Sequence, residues 1–265
     1  MIERAERHAA LHFASLSTAS GAACNESKDD LHGWDYIVEI PPTRNPNRLP
    51  DKQPRIITAL VQIKSTTKNR LITRIKLSNA LKAIQSDLPC FIFMFSYNDD
   101  QIKIFGKHVW SEFSEIVLKK ARQSEIHGSN SLHKKSISVL FEPSDEIQSS
   151  EIAQWIQRTV NEIGEDYASK KIRIRDKCGY EKRRYIVKFT LGPLDNIMQE
   201  ISDHEIGYSE FLPATDFAVY DERFGIQSSY PEIFSQKGWA QFQTQGKNAI
   251  LTISNQQVDK FELNA

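Results

Sequence analysis

Three polar side chains lie in two predominantly apolar segments of this chain. Asp35 stands near the start of residues 34–40 (WDYIVEI), and Gln62 and Lys64 lie two apart in residues 56–65 (IITALVQIKS). The β-branched and aromatic content predicts a strand for each segment, and residues two apart share one face of a strand. Burying a lone lysine is costly, so Lys64 needs either a partner or an opening to water.

Hydrolysis of a phosphodiester would use these three groups. The reaction needs a carboxylate to hold a divalent ion, further oxygen ligands, and a cation near the attacking water or the phosphate. Asp35 supplies the carboxylate, and Gln62 supplies its amide oxygen or the adjacent backbone carbonyls. Lys64 would orient the water and stabilise charge on the phosphorane oxygens. The ion expected here is Mg²⁺ or Mn²⁺, with Asp35 and Gln62 as its ligands.

Lys64 and Asp35 also have ordinary structural explanations. Lys64 could protect an edge strand from aggregation, and Asp35 could stabilise the turn at Gly33. A glutamate of the first helix, Glu6 in preference to Glu3, is a candidate supporting carboxylate, but it could equally belong to a solvated helix face.

Further candidates surround the two strands. Glu39 shares a face with Asp35, although it lies roughly 13 Å along an extended strand. Ser65 and Thr66 follow Lys64 and could bind phosphate oxygens or form an ordinary loop. His8 and His12 have helical i,i+4 spacing, but two imidazoles without a carboxylate make a poor metal site.

The first half of the chain alternates helical and strand-like patterns. Spacing of apolar residues predicts helices, and short β-branched or aromatic runs predict strands. This order indicates an α/β domain in which helices pack on a mixed sheet. The predicted elements are a helix at 3–19, strands at 34–40 and 56–65, a helix at 77–86, strands at 90–97 and 101–106, and a helix at 109–122.

The motif residues resemble those of a known nuclease superfamily. Gly33-Trp34-Asp35, followed by Val61 to Thr66 (VQIKST), resembles the GxD…QxKS/T pattern of PD-(D/E)xK nucleases, with Gln62 where many members have an acid. Residues 76–95 resemble the helix and strand that follow the QxK strand in one bacterial branch. That branch includes the DREN-type effector nucleases that accompany short prokaryotic Argonautes. The resemblance covers roughly residues 3–120.

This resemblance implies a restriction-endonuclease-like mixed sheet flanked by helices and a metal-dependent endonuclease acting on DNA, with RNA as a further substrate class. It also implies a defence effector that is activated by a sensor such as a short Argonaute, or by homo-oligomerisation. A non-catalytic nuclease-fold module that binds nucleic acid or acts as a scaffold is the alternative, motivated by Gln62.

A polar segment at 123–136 predicts a boundary between a nuclease-like domain at 1–127 and a second α+β domain at 137–265. In the second part we predict a strand at 137–142, a helix at 149–162, paired strands at 171–176 and 182–190, a helix at 194–202, and strands near 216–220 and 239–253. The paired strands would form a basic hairpin that carries Lys182, Arg183 and Arg184. Such a hairpin either binds nucleic acid or is simply solvated.

Composition narrows the class of protein. The 34 basic and 34 acidic residues cancel, so nucleic-acid affinity must come from local segregation of charge. Cys24, Cys90 and Cys178 lie far apart and show no zinc-ligand spacing. Without an apolar run near the length of a membrane span or a signal-peptide pattern, we expect a cytoplasmic protein that does not associate with membranes.

Overall fold

The computed structural model describes residues 5–27, 33–44, 46–68, 70–98, 101–126, 131–191, 197–209, 211–245, 248–254 and 260–264. The chain forms two compact units, residues 1–178 and 179–265. No helix in the described ranges is long and apolar enough to cross a membrane.

The first unit is a mixed α/β structure. In chain order its elements are α1 (Ala5–Ala19), β1 (Ala23–Glu26), β2 (Tyr36–Ile40), β3 (Ile57–Thr66), β4 (Ile72–Lys76), α2 (Leu77–Gln85), β5 (Cys90–Asn98), β6 (Gln101–His108), α3 (Ser111–Ile126), β7 (Ser136–Leu140), β8 (Glu146–Ile147), α4 (Ile152–Ile163) and α5 (Tyr167–Lys177).

Six of these strands form one sheet in the order β1-β2-β3-β5-β6-β8, and β4 pairs with β7 separately. Strands β3 and β5 are parallel, and the other neighbours in the sheet are antiparallel. All seven elements predicted for residues 3–122 are present in the predicted order, and the mixed sheet flanked by helices is confirmed, but strands β1 and β4 were not predicted.

Successive residues of β3 pack alternately into two different hydrophobic cores, one on each face of the sheet. Val61 and Ile63 pack beneath α1 and α4, together with Phe91 and Phe93 of β5. Leu60 packs on the opposite face with α2, α3 and the β4–β7 pair. Because side chains alternate along a strand, Gln62 and Lys64 belong to the Leu60 face.

The boundary predicted at 123–136 does not coincide with the division between the units. Strand β7 pairs with β4, and β8 pairs with β6, so the chain returns to the first unit after residue 136. Helix α4 then completes the core through Ile156, which is fully buried. These long-range pairings join residues 137–178 to the first unit.

The strand predicted at 171–176 is wrong, because these residues lie in helix α5. Alternation of Ile172 and Ile174 with basic residues suggested a strand, but Lys and Arg are also good helix formers. Tyr167 and Lys171, four residues apart, form the buried side of the helix. The predicted basic hairpin therefore does not form, and β9 pairs with a later strand.

The second unit contains an antiparallel sheet and one helix. Its elements are β9 (Tyr185–Leu191), α6 (Ile197–Glu205), β10 (Leu212–Arg223), β11 (Ile226–Gln227), β12 (Ile233–Gln245), β13 (Asn248–Ser254) and β14 (Lys260–Asn264). Strands β11, β10, β12, β13 and β14 follow one another in the sheet, and β9 also pairs with β10. The buried residues Phe217 and Val219 form a small core with Val187 and Ile233.

Candidate active site

Strand pairing brings Asp35 next to the segment that carries Gln62 and Lys64. Tyr36, the first residue of β2, pairs with Val61 of β3. The Asp35 amide donates a hydrogen bond to the Val61 carbonyl at 2.8 Å. In return, the Ile63 amide donates to Asp35 Oδ2 at 2.5 Å. The carboxylate therefore lies beside the peptide group that joins Gln62 to Ile63.

The interaction of Asp35 differs from the turn role considered above. A turn-stabilising aspartate bonds to backbone close to it in sequence, whereas Ile63 is 28 residues away. Asp35 thus fixes the end of β2 against the middle of β3. An ionised carboxylate has about four lone-pair positions, so one such bond is compatible with a metal ligand.

The backbone geometry at position 33 explains why a glycine stands two residues before Asp35. Its φ of +82° lies in the left-handed region. A Cβ at this position would also come within 2.5 Å of the Asn79 side chain on α2. The first residue of the GxD pattern therefore allows the chain to pass close to α2 before β2 begins.

Lys64 lies on an interior strand, since β3 has β2 on one side and β5 on the other. This position removes the edge-strand explanation for the lysine. The side chain is half-buried, and within the described ranges no carboxylate lies within ion-pair distance of it. Gln62 and Lys64 share a face, with Cα atoms roughly 7 Å apart.

Gln62 borders a small cavity between the sheet and α2. The cavity measures about 20 Å³, and Trp34, Cys90 and Phe113 also line it. A space of this size holds about one water molecule. A nucleotide is far too large for this cavity.

The structure does not bring Glu6 to the other predicted site residues. Glu6 is exposed in the first turn of α1, and α1 packs through Ala9 and Phe13 on the face of Val61 and Ile63. Gln62 and Lys64 face the opposite side of the sheet. Glu3, the alternative carboxylate, lies outside the described residues.

The remaining polar candidates of the first unit are separated. Glu39 is exposed and pairs with Thr58, at the end of β2 farther from Asp35. Thr66 Oγ1 accepts a hydrogen bond from the Lys68 amide at 3.1 Å, which is a local turn contact. Ser65 alternates to the Val61 face. In the described part of the chain, no group of three or more His, Cys, Asp or Glu side chains could hold a metal ion.

A second buried polar cluster was not predicted. Lys171 on α5 is 3% exposed, and its Nζ donates to the carbonyls of Ala83 at 2.9 Å and Leu88 at 2.7 Å. The same atom lies 3.5 Å from Cys90 Sγ. Burial lowers the pKa of Lys171 and raises that of Cys90. These contacts fix α5 to the chain around α2. The sequence could not predict them, because nothing distinguishes Lys171 from the other basic residues of its segment.

His108 lies beside this cluster. Its ring stacks between Phe91 and Trp110, with centroids 4.9 Å and 5.1 Å away. Its Nε2 is 2.6 Å from the Tyr167 hydroxyl. Burial, together with the charge of Lys171, lowers the pKa of His108 to about 4. The imidazole is therefore neutral in the folded protein near pH 7.

The predicted basic residues of the second unit have different roles. Arg183 forms a bidentate pair with Glu222, whose side chain is buried. Arg184 lies over the rings of Tyr180 and Tyr185, 5.3 Å from each centroid. Lys182 is exposed. Of the three, Arg183 is neutralised within the protein, whereas Lys182 and Arg184 have no carboxylate within ion-pair distance among the described residues.

Comparison of the chain with models of protein families, with curated proteins and with solved structures gives no match.

Proposed function

We propose that the first unit is a metal-dependent nuclease that hydrolyses phosphodiester bonds in DNA, with RNA as a further substrate class. The observation that carries this proposal is the 2.5 Å hydrogen bond from the Ile63 amide to Asp35. It holds a carboxylate beside the strand that presents Gln62 and Lys64. A restriction-endonuclease-like arrangement of the sheet is part of the same proposal.

The donor set fits Mg²⁺ or Mn²⁺ better than a softer metal. These ions prefer oxygen ligands, and Mg²⁺ is commonly held by one or two carboxylates, water and substrate phosphates. Asp35 would supply the carboxylate, and Gln62 its amide oxygen or the neighbouring backbone carbonyl. A bound ion would polarise the phosphate and lower the pKa of a coordinated water.

The protein's own groups would then position the reactants. The Asp35 amide bonds to the Val61 carbonyl, and the Asp35 carboxylate accepts a hydrogen bond from the Ile63 amide. The carboxylate therefore needs little reorganisation when a ligand arrives. Lys64 has no competing carboxylate among the described residues and could bring its ammonium to a phosphate oxygen. Hydrogen bonding from that ammonium would stabilise negative charge that develops on the phosphorane.

The biological setting follows from the resemblance of residues 33–35 and 61–66 to PD-(D/E)xK nucleases of the defence branch. We propose an effector whose cleavage is switched on by a nucleic-acid-sensing partner, such as a short Argonaute, or by oligomerisation. Such control would prevent damage to the host's own nucleic acid.

A non-catalytic nucleic-acid-binding or scaffolding module is the second candidate. Gln62 replaces the more common acid, and among the described residues no group of three or more His, Cys, Asp or Glu side chains could hold a metal ion. A single carboxylate binds a divalent ion more weakly than two. Under this alternative, Asp35 serves only to join β2 to β3.

The test compares Lys64→Met with the matched control Lys119→Met, since Lys119 is exposed on α3. Cleavage of labelled single- and double-stranded DNA and RNA is measured with Mg²⁺ or Mn²⁺, and Mn²⁺ binding is measured by calorimetry with a non-hydrolysable oligonucleotide. We expect Lys64→Met to lower cleavage by about 10²–10³-fold without loss of Mn²⁺ binding, and Lys119→Met to match the parent.

The calorimetric measurement does not depend on an activating partner. Absence of any Mn²⁺ uptake by the parent protein in the presence of oligonucleotide would favour the non-catalytic module. Cleavage by Lys64→Met at the rate of the parent would remove the lysine from the mechanism.

A further inference from the structure

One face of the sheet in the second unit carries a lysine and two aromatic rings. Lys188 of β9 and Phe234 of β12 both pair with Ala218 of β10, so they lie on the same face, on either side of that strand. Tyr220 lies two residues further along β10 and shares this face. The Lys188 Nζ is 5.0 Å from the centre of the Tyr220 ring. We name Lys188, Tyr220 and Phe234 the sheet platform.

The platform is distinct from the core of the unit. Val187, Val219 and Ile233, the residues next in sequence, point to the other face and pack with Phe217. Phe234 is 59% exposed, and Tyr220 is partly exposed. The Phe234 ring is therefore largely open to solvent and available to a ligand on this face.

A second group of rings and cations lies at the start of β9. Arg184 covers Tyr180 and Tyr185, and Arg223 lies 5.1 Å from the Tyr180 centroid. The Tyr180 hydroxyl donates to Asp221 at 2.5 Å, which holds the ring near both guanidinium groups. This group lies at the N-terminal end of β9, and Arg184 precedes Lys188 by four residues.

The two nearby buried carboxylates do not neutralise the platform. Glu222 binds Arg183, and Asp221 accepts from Tyr180. Neither Arg184 nor Lys188 has an acidic side chain within ion-pair distance in the described part of the chain. Lys188 and Arg184 are therefore available to a ligand beside these rings, and the exposed Glu232, two residues before Phe234, forms no ion pair with either of them.

We propose that the sheet platform and Arg184 bind single-stranded nucleic acid. Bases would stack on Tyr220 and Phe234, and Lys188 and Arg184 would contact backbone phosphates. Aromatic side chains on an open sheet are suited to unstacked bases, because every base offers a ring face irrespective of sequence. The lysine and arginine supply the salt-dependent part of the affinity.

Two other occupants fit the surface less well. A duplex hides its base faces and is usually read by a helix or a two-stranded ribbon in a groove, which a flat sheet face cannot enter. Protein interfaces are depleted in lysine, whereas Lys188 lies directly over a platform ring. The combination of stacking surface and free cations therefore favours a single strand.

The experiment measures binding by the full chain, in EDTA so that no metal-dependent cleavage occurs. The probes are a fluorescent oligothymidylate and an oligouridylate, each of roughly twenty nucleotides, and a duplex of similar length, at several salt concentrations. The variants are Tyr220→Ala, Phe234→Ala, Lys188→Gln and the conservative Tyr220→Phe. Lys119→Gln on α3 of the first unit is the matched charge control.

We expect Tyr220→Ala and Phe234→Ala each to weaken single-strand binding by about 5- to 100-fold, and Tyr220→Phe to bind almost as the parent does. Lys188→Gln should make the salt slope shallower by about 0.7, while Lys119→Gln leaves it unchanged. Circular dichroism checks folding; if Tyr220→Ala is unfolded, the exposed Phe234→Ala and the ring-retaining Tyr220→Phe still decide the question.

Parental affinity in both Phe234→Ala and Tyr220→Ala would overturn the proposal. Equal affinity for the duplex would show that the rings do not stack on bases. Displacement of the oligonucleotide by an acidic peptide, with no effect of Phe234→Ala, would identify a protein-docking surface instead. Because the assay contains no metal, these outcomes leave the proposed nuclease site of the first unit to be judged separately.

Discussion

Replacing Asp35 by asparagine and, separately, by alanine distinguishes a structural role of this residue from a metal-binding one. Asparagine keeps an oxygen that can accept the Ile63 amide proton, which Asp35 accepts at 2.5 Å. It removes the negative charge, however. Alanine removes both the charge and the acceptor, so the pair separates the two properties.

The expected effects on stability follow from this one hydrogen bond. A charge-assisted bond contributes about 1 kcal/mol more than a neutral one, so Asp35→Asn should lower the free energy of unfolding of the first unit by about 1 kcal/mol. Asp35→Ala leaves the Ile63 amide without this acceptor and should cost about 2 kcal/mol. For a unit of this size the melting temperature should fall by roughly 3 °C and 6 °C, respectively.

The expected effect on metal binding comes from the charge. Two unit charges 4 Å apart attract by about 1 kcal/mol in water and about 4 kcal/mol near a protein surface. Mn²⁺ carries two charges and lies closer than 4 Å to a coordinating carboxylate, so a loss of about 2 kcal/mol, or roughly 30-fold in affinity, is a lower bound. Both variants should therefore bind Mn²⁺ at least about 30-fold more weakly and lose cleavage.

Thermal melting, followed by tryptophan fluorescence, reports mainly the first unit, because Trp34, Trp110 and Trp155 lie in it and only the fourth tryptophan, Trp239, lies in the second. Calorimetry with Mn²⁺ and oligonucleotide reports the metal. If Asp35→Asn binds Mn²⁺ and cleaves as the parent does, while Asp35→Ala melts lower as expected, Asp35 only joins β2 to β3 and the nuclease mechanism is refuted. An unchanged melting temperature in Asp35→Ala would contradict the hydrogen-bond argument itself.

Two further predictions concern the residues around the site. Gly33→Ala should destabilise the first unit by about 1–3 kcal/mol, because φ is +82° and the new Cβ meets Asn79; Asn79→Ala in the same chain should recover part of this loss in urea unfolding, and full recovery would show that backbone strain contributes nothing. Burial lowers the pKa of His108 to about 4 in the folded state, whereas the pKa of this histidine in the unfolded state is near 6.5. As the pH falls, the folded state therefore takes up the proton at a lower pH than the unfolded state does. Unfolding free energy should therefore fall by up to about 3 kcal/mol as pH drops from about 6.5 to about 4, and His108→Gln, which can still bond to Tyr167, should lose most of this dependence. Urea midpoints at several pH values measure it, and an equally steep fall in His108→Gln would assign the effect to other groups.

Local patterns in the sequence were sufficient to predict most elements of the first unit. The runs at 56–65 and 90–97 are apolar and β-branched or aromatic because both faces of β3 and β5 are covered. Such a run predicts a buried strand from the sequence alone. Helix α2 was recognised from Leu77, Ala80 and Ile84, which are all buried on one side. These features depend on neighbouring residues alone, and the sequence shows them directly.

The same local patterns could not distinguish α5 from a strand. Ile172 and Ile174 alternate with cations over a segment too short for period 2 and period 3.6 to be told apart. The helix is fixed by contacts distant in sequence, above all the bonds from Lys171 to the carbonyls of Ala83 and Leu88. The boundary at residue 178 depends likewise on the pairing of β7 with β4.

The sequence by itself determined the residue types and order of the candidate site: a glycine and an aspartate before one strand, and a glutamine and a lysine on one face of the next. Only the tertiary structure decided which of these groups meet. Strand register placed Asp35 against Ile63, and the packing of α1 placed Glu6 on the other side of the sheet. The reason is physical: alternation fixes relative faces within one strand, whereas the face that each helix covers depends on which cores the whole chain can bury.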